Sequence, residues 1–160
     1  MKLPLNLIIL IIFLYPHHIF AKYDNSLPRF SSIKSNKVYV RSGPDKSYPI
    51  KWVFTKSSEP VEVVASFDHW RRIKDKYGDG GWVHMSMLSS KRSVILNGDS
   101  LRLMYNKDNI KSKVIAKLSP DLRCGLKKIS DKWCLLDCAG KKGWVQKEYL
   151  WGVYLKETKY

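Results

Sequence analysis

An internal repeat constrains the fold of this chain more than any other feature of its sequence. The triplet Gly-Trp-Val occurs at residues 81–83 and again at 143–145, an offset of 62, and Trp70 recurs as Trp133 at an offset of 63. The offset of 63 also aligns residues 37–41 with 100–104, Val61 with Cys124, Val63 with Leu126 and Ile73 with Leu136. A repeated unit of about 60 residues predicts two copies of one small domain, which is marginally stable alone and gains stability by packing against its neighbour.

Each copy has the sequence pattern of short antiparallel strands. Apolar and polar residues alternate in segments 38–41 and 60–64, as expected for strands with one buried face. Residues 42–45, Ser-Gly-Pro-Asp, form a turn sequence, because glycine permits positive φ and proline cannot donate to a strand ladder. In segment 108–118 Lys and Ser separate the apolar residues, so we predict a loop followed by a strand. The predicted fold class is all-β, with two tandem, small, partly open barrels.

The N-terminus has the layout of a secretory signal peptide. Residues 1–2 supply a positive charge, residues 3–14 form a nearly unbroken apolar run, and a more polar exit ends at Ala21. The apolar run is shorter than the roughly 20 residues that span a bilayer. A lipoprotein signal needs a cysteine at the cleavage point, and the first cysteine is Cys124. We therefore expect cleavage after Ala21 and a soluble protein exported to the periplasm or the extracellular space.

These features divide the chain into five segments. We predict a signal peptide at 1–21, an extended N-terminal segment at 22–35, a first domain at 36–90, a second domain at 91–154 and a C-terminal tail at 155–160. Without the signal peptide, 28 basic and 14 acidic residues remain, a net charge of +14. This balance favours anionic partners such as lipid head groups or cell-wall carboxylates; alternatively, it is a solvated basic surface without a specific ligand. Nucleic acid is not expected as a partner of an exported protein.

The first copy resembles bacterial SH3-like domains. Val40-Arg41-Ser42-Gly43-Pro44-Asp45 is similar to the opening motif of that family, residues 70–73 resemble its central strand, and residues 81–84 resemble its last strand. Together the two copies look like a group of exported proteins with tandem SH3-like domains, most familiar from alphaproteobacteria. In copy two, Met-Tyr-Asn-Lys at 104–107 stands where Arg-Ser-Gly-Pro is expected. We therefore expect copy two to have lost the opening loop, and copy one to carry recognition.

The resemblance implies a binding function rather than a reaction. Related domains place ligands over an aromatic groove beside the first long loop, which points to Tyr39, Arg41, Tyr48, Trp70 and Arg71 as ligand-binding residues. The implied ligand is peptidoglycan, through its stem peptides or its glycan. The alternative is a periplasmic protein–protein scaffold that binds extended peptides. The aromatic side chains would otherwise only cover the barrel.

All three cysteines lie in copy two. Cys134 and Cys138 are four residues apart on one predicted strand, about 13 Å at the usual rise and too far to bridge each other. If the hairpin turns around Asp131, Cys124 faces Cys138, whereas a shifted register would select Cys134. Members of the resembled family usually pair the cysteine beside the tryptophan with the position that Ile129 occupies here. The remaining alternatives are buried thiols without a bond and, less favoured, a zinc site.

No residue pattern for catalysis or metal binding is present in the sequence. Only His69 and His84 remain after removal of the signal peptide, both in copy one and away from the cysteines. His69 lies at a predicted turn and His84 at a strand end. There is no phosphate-binding glycine loop and no histidine spacing typical of a metalloenzyme. We therefore expect neither an enzyme nor a cofactor.

Overall fold

Two seven-stranded antiparallel sheets form the regular structure of residues 26–158, the part of the chain that the computed structural model describes. The first contains β1 Arg29–Ile33, β2 Val38–Arg41, β3 Ile50–Phe54, β4 Pro60–Phe67, β5 Trp70–Lys74, β6 Gly80–His84 and β7 Leu88–Ser89. The second contains β8 Ser93–Leu96, β9 Arg102–Tyr105, β10 Val114–Leu118, β11 Arg123–Ile129, β12 Trp133–Cys138, β13 Lys141–Gln146 and β14 Leu150–Trp151. Short 3-10 turns at Met85–Met87 and Lys147–Tyr149 precede β7 and β14. The all-β prediction is confirmed.

The two sheets have the same strand order. The first runs β3-β2-β6-β5-β4-β1-β7 and the second runs β10-β9-β13-β12-β11-β8-β14, so each strand has a counterpart seven strands later. The predicted repeat is therefore a repeat of structure, and the loop-then-strand prediction for 108–118 is confirmed by β10. Within the described residues, no helix is of a length and apolarity that would cross a membrane.

The first sheet includes residues of the extended N-terminal segment that was predicted at 22–35. Strand β1 at residues 29–33 pairs with β4 and with β7, so the sheet begins before residue 36. Its counterpart β8 pairs with β11 and β14 in the same way. The predicted signal peptide at 1–21 lies outside the described residues.

The register of β9 corrects the sequence alignment by one residue. Arg41 pairs with Trp82, and Tyr105 pairs with the equivalent Trp144, so Arg41 corresponds to Tyr105 at an offset of 64 rather than 63. Val40 and Met104 are accordingly the two buried counterparts. A one-residue shift moves every side chain of a strand to the other face, which is why the correction changes the exposed residues of copy two.

The opening loop of copy two is retained in backbone geometry, contrary to the expectation that it is lost. In the first domain the N–H of Ser42 donates to the carbonyl of Pro49, and in the second the N–H of Asn106 donates to that of Lys113. Asp45 accepts from the backbone N–H two residues later, as Asn109 does. Both loops have eight residues between their flanking strands. Asn therefore replaces Asp in the same side-chain-stabilised turn.

A disulfide joins Cys124 to Cys138, the pairing given by a hairpin centred near Asp131. Strands β11 and β12 hold that register at Gly125–Asp137 and Leu126–Leu136 and shift by one residue beyond Leu126. After the shift, Ile129 faces Cys134, so the position used by the resembled family carries no partner sulfur here. Cys134 is a buried free thiol, and burial raises its pKa to about 12.

The two domains meet through polar and aromatic contacts. The hydroxyls of Ser32 and Ser93 are 2.7 Å apart and buried, and the hydroxyl of Tyr154 donates to Glu62 at 2.7 Å. The ring of Phe30 packs edge-on against Trp151 at 5.0 Å between centroids. The C-terminal segment therefore contacts the first domain as well as its own.

Candidate ligand groove

A groove of about 360 Å³ lies on the first domain beside β2. It is lined by Lys37, Tyr39, Arg41, Lys46, Trp70, His84, Ser86 and Met87. Three of these described lining residues are cationic at neutral pH and none is acidic. The groove therefore combines aromatic surface with a positive potential, which suits a ligand that carries carboxylates on a partly apolar framework.

Strand β2 supplies one wall because its side chains alternate between core and surface. Val38 and Val40 are buried, and Tyr39 and Arg41 point to the other face. The ammonium group of Lys37 lies 5.5 Å from the centre of the Tyr39 ring, a cation–π distance. The tyrosine face is thus already polarised by a neighbouring positive charge.

The loop at 42–49 supplies the rim. A guanidinium nitrogen of Arg41 donates to the carbonyl of Tyr48 at 2.8 Å, and the N–H of Ser47 donates to the Asp45 carboxylate at 2.8 Å. Hydrogen bonds from the backbone and side chain of Ser47 lower the pKa of Asp45. The carboxylate is engaged within its own loop, and Lys46 lies beside it on the rim of the groove.

Trp70 and His84 form the opposite wall. They are cross-strand partners on β5 and β6, and their rings meet edge-on with centroids 5.6 Å apart. The N–H of Ser86 donates to Nδ1 of His84, and the hydroxyl of Ser86 lies 2.7 Å from the same nitrogen. His84 therefore caps the turn that carries Ser86 and Met87 into the groove.

The structure brings together three of the five residues assigned from the sequence. Tyr39, Arg41 and Trp70 line the groove, although Trp70, expected on the surface, is only 9% exposed and forms a wall rather than a free ring. Tyr48 and Arg71 are outside the lining. A Cβ on Gly43 would lie 2.5 Å from the Tyr48 ring, so that ring packs over its own loop.

The side chain of Arg71 is held by hydrogen bonds to nearby backbone carbonyls. Its guanidinium donates to the carbonyls of Asp68 and Trp70, each at 2.8 Å. Five lining residues were not assigned from the sequence: Lys37, Lys46, His84, Ser86 and Met87. Period-two spacing from Tyr39 identifies Lys37, but the turn residues after β6 carry no local signal for the groove.

The same face of the second domain has different chemistry. At the structural offset of 64, the positions of the three groove cations are occupied by Leu101, Tyr105 and Ile110, and that of Tyr39 by Leu103. The Tyr105 ring packs edge-on against Trp133 at 5.5 Å. We call Leu101, Leu103, Tyr105 and Ile110 the second-domain face. None of these four positions carries a cationic side chain.

Comparison with known families identifies both copies. The model of the bacterial SH3 domain matches residues 34–90 and 102–152. No curated protein matches the chain.

Solved structures show weaker likeness. The structure of NlpC2 from Trichomonas vaginalis is matched at 10% identity and a TM-score of 0.36, covering 80% of this chain and 49% of that one. NlpC1 from the same organism gives 10% identity and 0.36, covering 81% and 48%. An NlpC/P60 family protein from Bacillus cereus ATCC 10987 gives 12% and 0.34, covering 76% and 55%. The chain spans about half the length of these proteins.

Proposed function

Because the chain belongs to the bacterial SH3 domain family, we propose that it is an exported, non-catalytic module whose first-domain groove binds peptidoglycan. The family supports a cell-wall-related binding role. The cations and aromatic rings of the groove favour an anionic, partly apolar polymer as the ligand. Peptidoglycan has both properties, since its stem peptides carry carboxylates and its sugars present apolar C–H faces.

The observation that carries the proposal is the meeting of Tyr39 and Trp70 with Arg41 and Lys46 in one groove. Arg41 uses one nitrogen for the Tyr48 carbonyl, and a guanidinium has further N–H donors for a carboxylate. The exposed ring of Tyr39 offers a flat surface for a sugar or an alanine methyl group. Aromatic contact would supply specificity, and the cations would favour the anionic polymer over neutral ones.

Sedimentation of the protein with purified peptidoglycan over a salt series tests the proposal. The chain from Lys22 is used because it retains every described residue. We expect Tyr39→Ala combined with Lys46→Glu to weaken binding at least tenfold, because the variant loses both an aromatic and a cationic contact with the ligand. Trp70 is left intact because its removal would open a void in a buried wall.

Two control substitutions match the test. Tyr77→Ala removes a more exposed ring outside the groove, and Lys128→Glu makes the same charge change in the second domain. Both are expected to bind as the wild type does. Absence of sedimentation at low salt would reject peptidoglycan as the ligand. Equal losses in Lys128→Glu and the groove variant would reduce the effect to net charge.

An extended peptide is the competing ligand. It would add to the edge strand β3, which lies at the end of the first sheet beside β2. Binding of a peptide that survives Tyr39→Ala with Lys46→Glu would favour this scaffold function over the groove.

A further inference from the structure

The second-domain face is an exposed apolar surface. Leu101 is 57% exposed, Leu103 39% and Ile110 62%, and Val114 at the start of the edge strand is 41% exposed. Tyr105 and Val114 are directly paired, so their side chains share one side of the sheet with Leu103. Grouping on one face distinguishes this surface from isolated exposed apolar residues.

Lysines surround the apolar side chains. Lys117 pairs with Leu103 and therefore lies on the same face. Lys107, Lys111 and Lys113 are exposed in the loop that carries Ile110. Residues 101–118 contain five basic residues and one acidic residue, a net charge of +4. We call Lys107, Lys111, Lys113 and Lys117 the lysine rim.

The loop holds Ile110 in a defined position. The carboxamide of Asn109 accepts from the N–H of Lys111 at 2.9 Å, and the hydroxyl of Ser112 bridges back to Lys107. These bonds fix the turn on both sides of Ile110. An exposed isoleucine is thus presented at the tip of an ordered basic loop.

We propose that the second-domain face docks on an anionic phospholipid surface. Leucine and isoleucine side chains would enter the boundary between head groups and acyl chains, while the lysine rim would contact the phosphates. Both attractions act in the same direction on such a surface. A second copy of this chain would instead place lysine rim against lysine rim, which charge repulsion opposes.

This interaction is separate from the proposed peptidoglycan site, because it uses residues of the second domain only. The groove residues Tyr39 and Lys46 are in the first domain. Two surfaces of different chemistry would let one chain link the cell wall to a membrane. Failure of one interaction leaves the other unchanged, so the two proposals are tested independently.

Flotation with lipid vesicles tests the proposal. Vesicles of phosphatidylcholine alone are compared with vesicles that also contain phosphatidylglycerol. Both the full chain and the chain from Lys22 are measured, so that binding through the apolar run at residues 3–14 is recognised. We expect the chain from Lys22 to float with the anionic vesicles and to remain free with the neutral ones.

Substitutions assign the binding to the face. Leu103→Ser with Ile110→Ser is expected to lower partitioning at least tenfold, and Lys111→Glu with Lys113→Glu to lower it similarly. The matched control is Ile50→Ser with Phe67→Ser, which removes two exposed apolar side chains from the first domain and is expected to partition as the wild type. Circular dichroism verifies that each variant is folded, and the lysine pair tests the face without changing any apolar contact.

Several results would overturn the proposal. Equal partitioning into neutral and anionic vesicles would remove the role of the lysine rim. Unchanged partitioning of both face variants would remove the face itself. Dimerisation in sedimentation velocity that is lost in Leu103→Ser with Ile110→Ser would identify a second copy as the occupant.

Discussion

The corresponding faces of the two domains have the same backbone geometry but different side chains. The first presents Lys37, Arg41 and Lys46 around a groove, and the second presents Leu101, Tyr105 and Ile110 at the same positions. Strand order, loop length and loop hydrogen bonds are shared. The bacterial SH3 framework therefore fixes where side chains are presented, and the outward residues of β2 or β9 and of the loop tip decide what is presented. This supports two different binding roles for the two domains.

The domains also differ in how they are stabilised. The second contains the Cys124–Cys138 disulfide, whereas Val61 occupies the position of Cys124 in the first and is part of its buried core. The second domain therefore combines a cross-link with its apolar cluster, and the first depends on side-chain packing.

Removal of the disulfide is expected to have the largest effect. Cys124→Ser with Cys138→Ser opens a cross-link between residues 14 apart, and a loop of that size stabilises by about 3 kcal/mol. Hydrogen exchange measured peptide by peptide should show lost protection in β11–β13 and little change in β4–β6. Equal losses in both domains would contradict independent stabilisation and show that they unfold together.

Alanine substitution at Gly81, compared with the same substitution at Gly143, is expected to have the next largest effect. Alanine at Gly81 would place its Cβ 2.4 Å from Val40 and 2.9 Å from the backbone oxygen of Arg41, and relief of that overlap costs about 2 kcal/mol. Alanine at Gly143 would also overlap its neighbours, at 2.4 Å from Cγ of Met104 and 2.7 Å from the Ile115 side chain, but these contacts are with side-chain atoms rather than with the backbone, and methionine adapts more readily than backbone does. Urea denaturation should therefore show a larger loss for Gly81→Ala than for Gly143→Ala. Equal losses would show that both pockets are equally rigid.

The ion pair that joins the C-terminal tail to the second domain gives the smallest effect. Glu157 is paired with Arg92; burial opposes the ionised carboxylate, but the hydrogen bond and charge of Arg92 lower the pKa of Glu157 overall. A carboxyl group with a lowered pKa stabilises the folded state above its unfolded pKa, roughly 4.3. This stabilisation is lost as the pH falls through the folded pKa.

Glu157→Gln should therefore lower the free energy of unfolding by about 1 kcal/mol at pH 7, after allowance for the solvent around the carboxylate. Below the folded pKa of Glu157 the variant and the wild type should converge. Urea titrations at pH 7 and at a pH below the folded pKa of Glu157 measure this difference. A constant difference across the range would exclude ionisation of Glu157 as its cause.

Much of the fold was predictable from residue patterns. Alternation of apolar and polar residues predicted the strands, and the Gly-Trp-Val triplets predicted the repeat. A hairpin centred near Asp131 places Cys124 opposite Cys138, which is the pair that forms the disulfide. The alignment of β2 with β9 failed by one residue because Val40 and Leu103 are both apolar letters. Only pairing with Trp82 and Trp144 shows which of these side chains face the core.

Only some of the groove residues could be identified from the sequence. Tyr39 and Arg41 share a face by strand periodicity, which sequence reveals. Trp70 was expected on the surface and is buried as a wall, since its exposure depends on the His84 ring across the sheet. The assignment of Tyr48 did not anticipate that its ring packs over Gly43.

The sequence by itself determined the all-β class, the duplication and the candidate cross-link, because periodicity and spacing act over short stretches of chain. Tertiary structure alone decided which residues form the groove. Its lining extends from Lys37 to Met87, and these residues meet only when β2, β5 and β6 are paired in one register. The contrast between a cationic groove and an apolar face likewise exists only once the register of β9 is set, since a one-residue shift exchanges the exposed and buried sides.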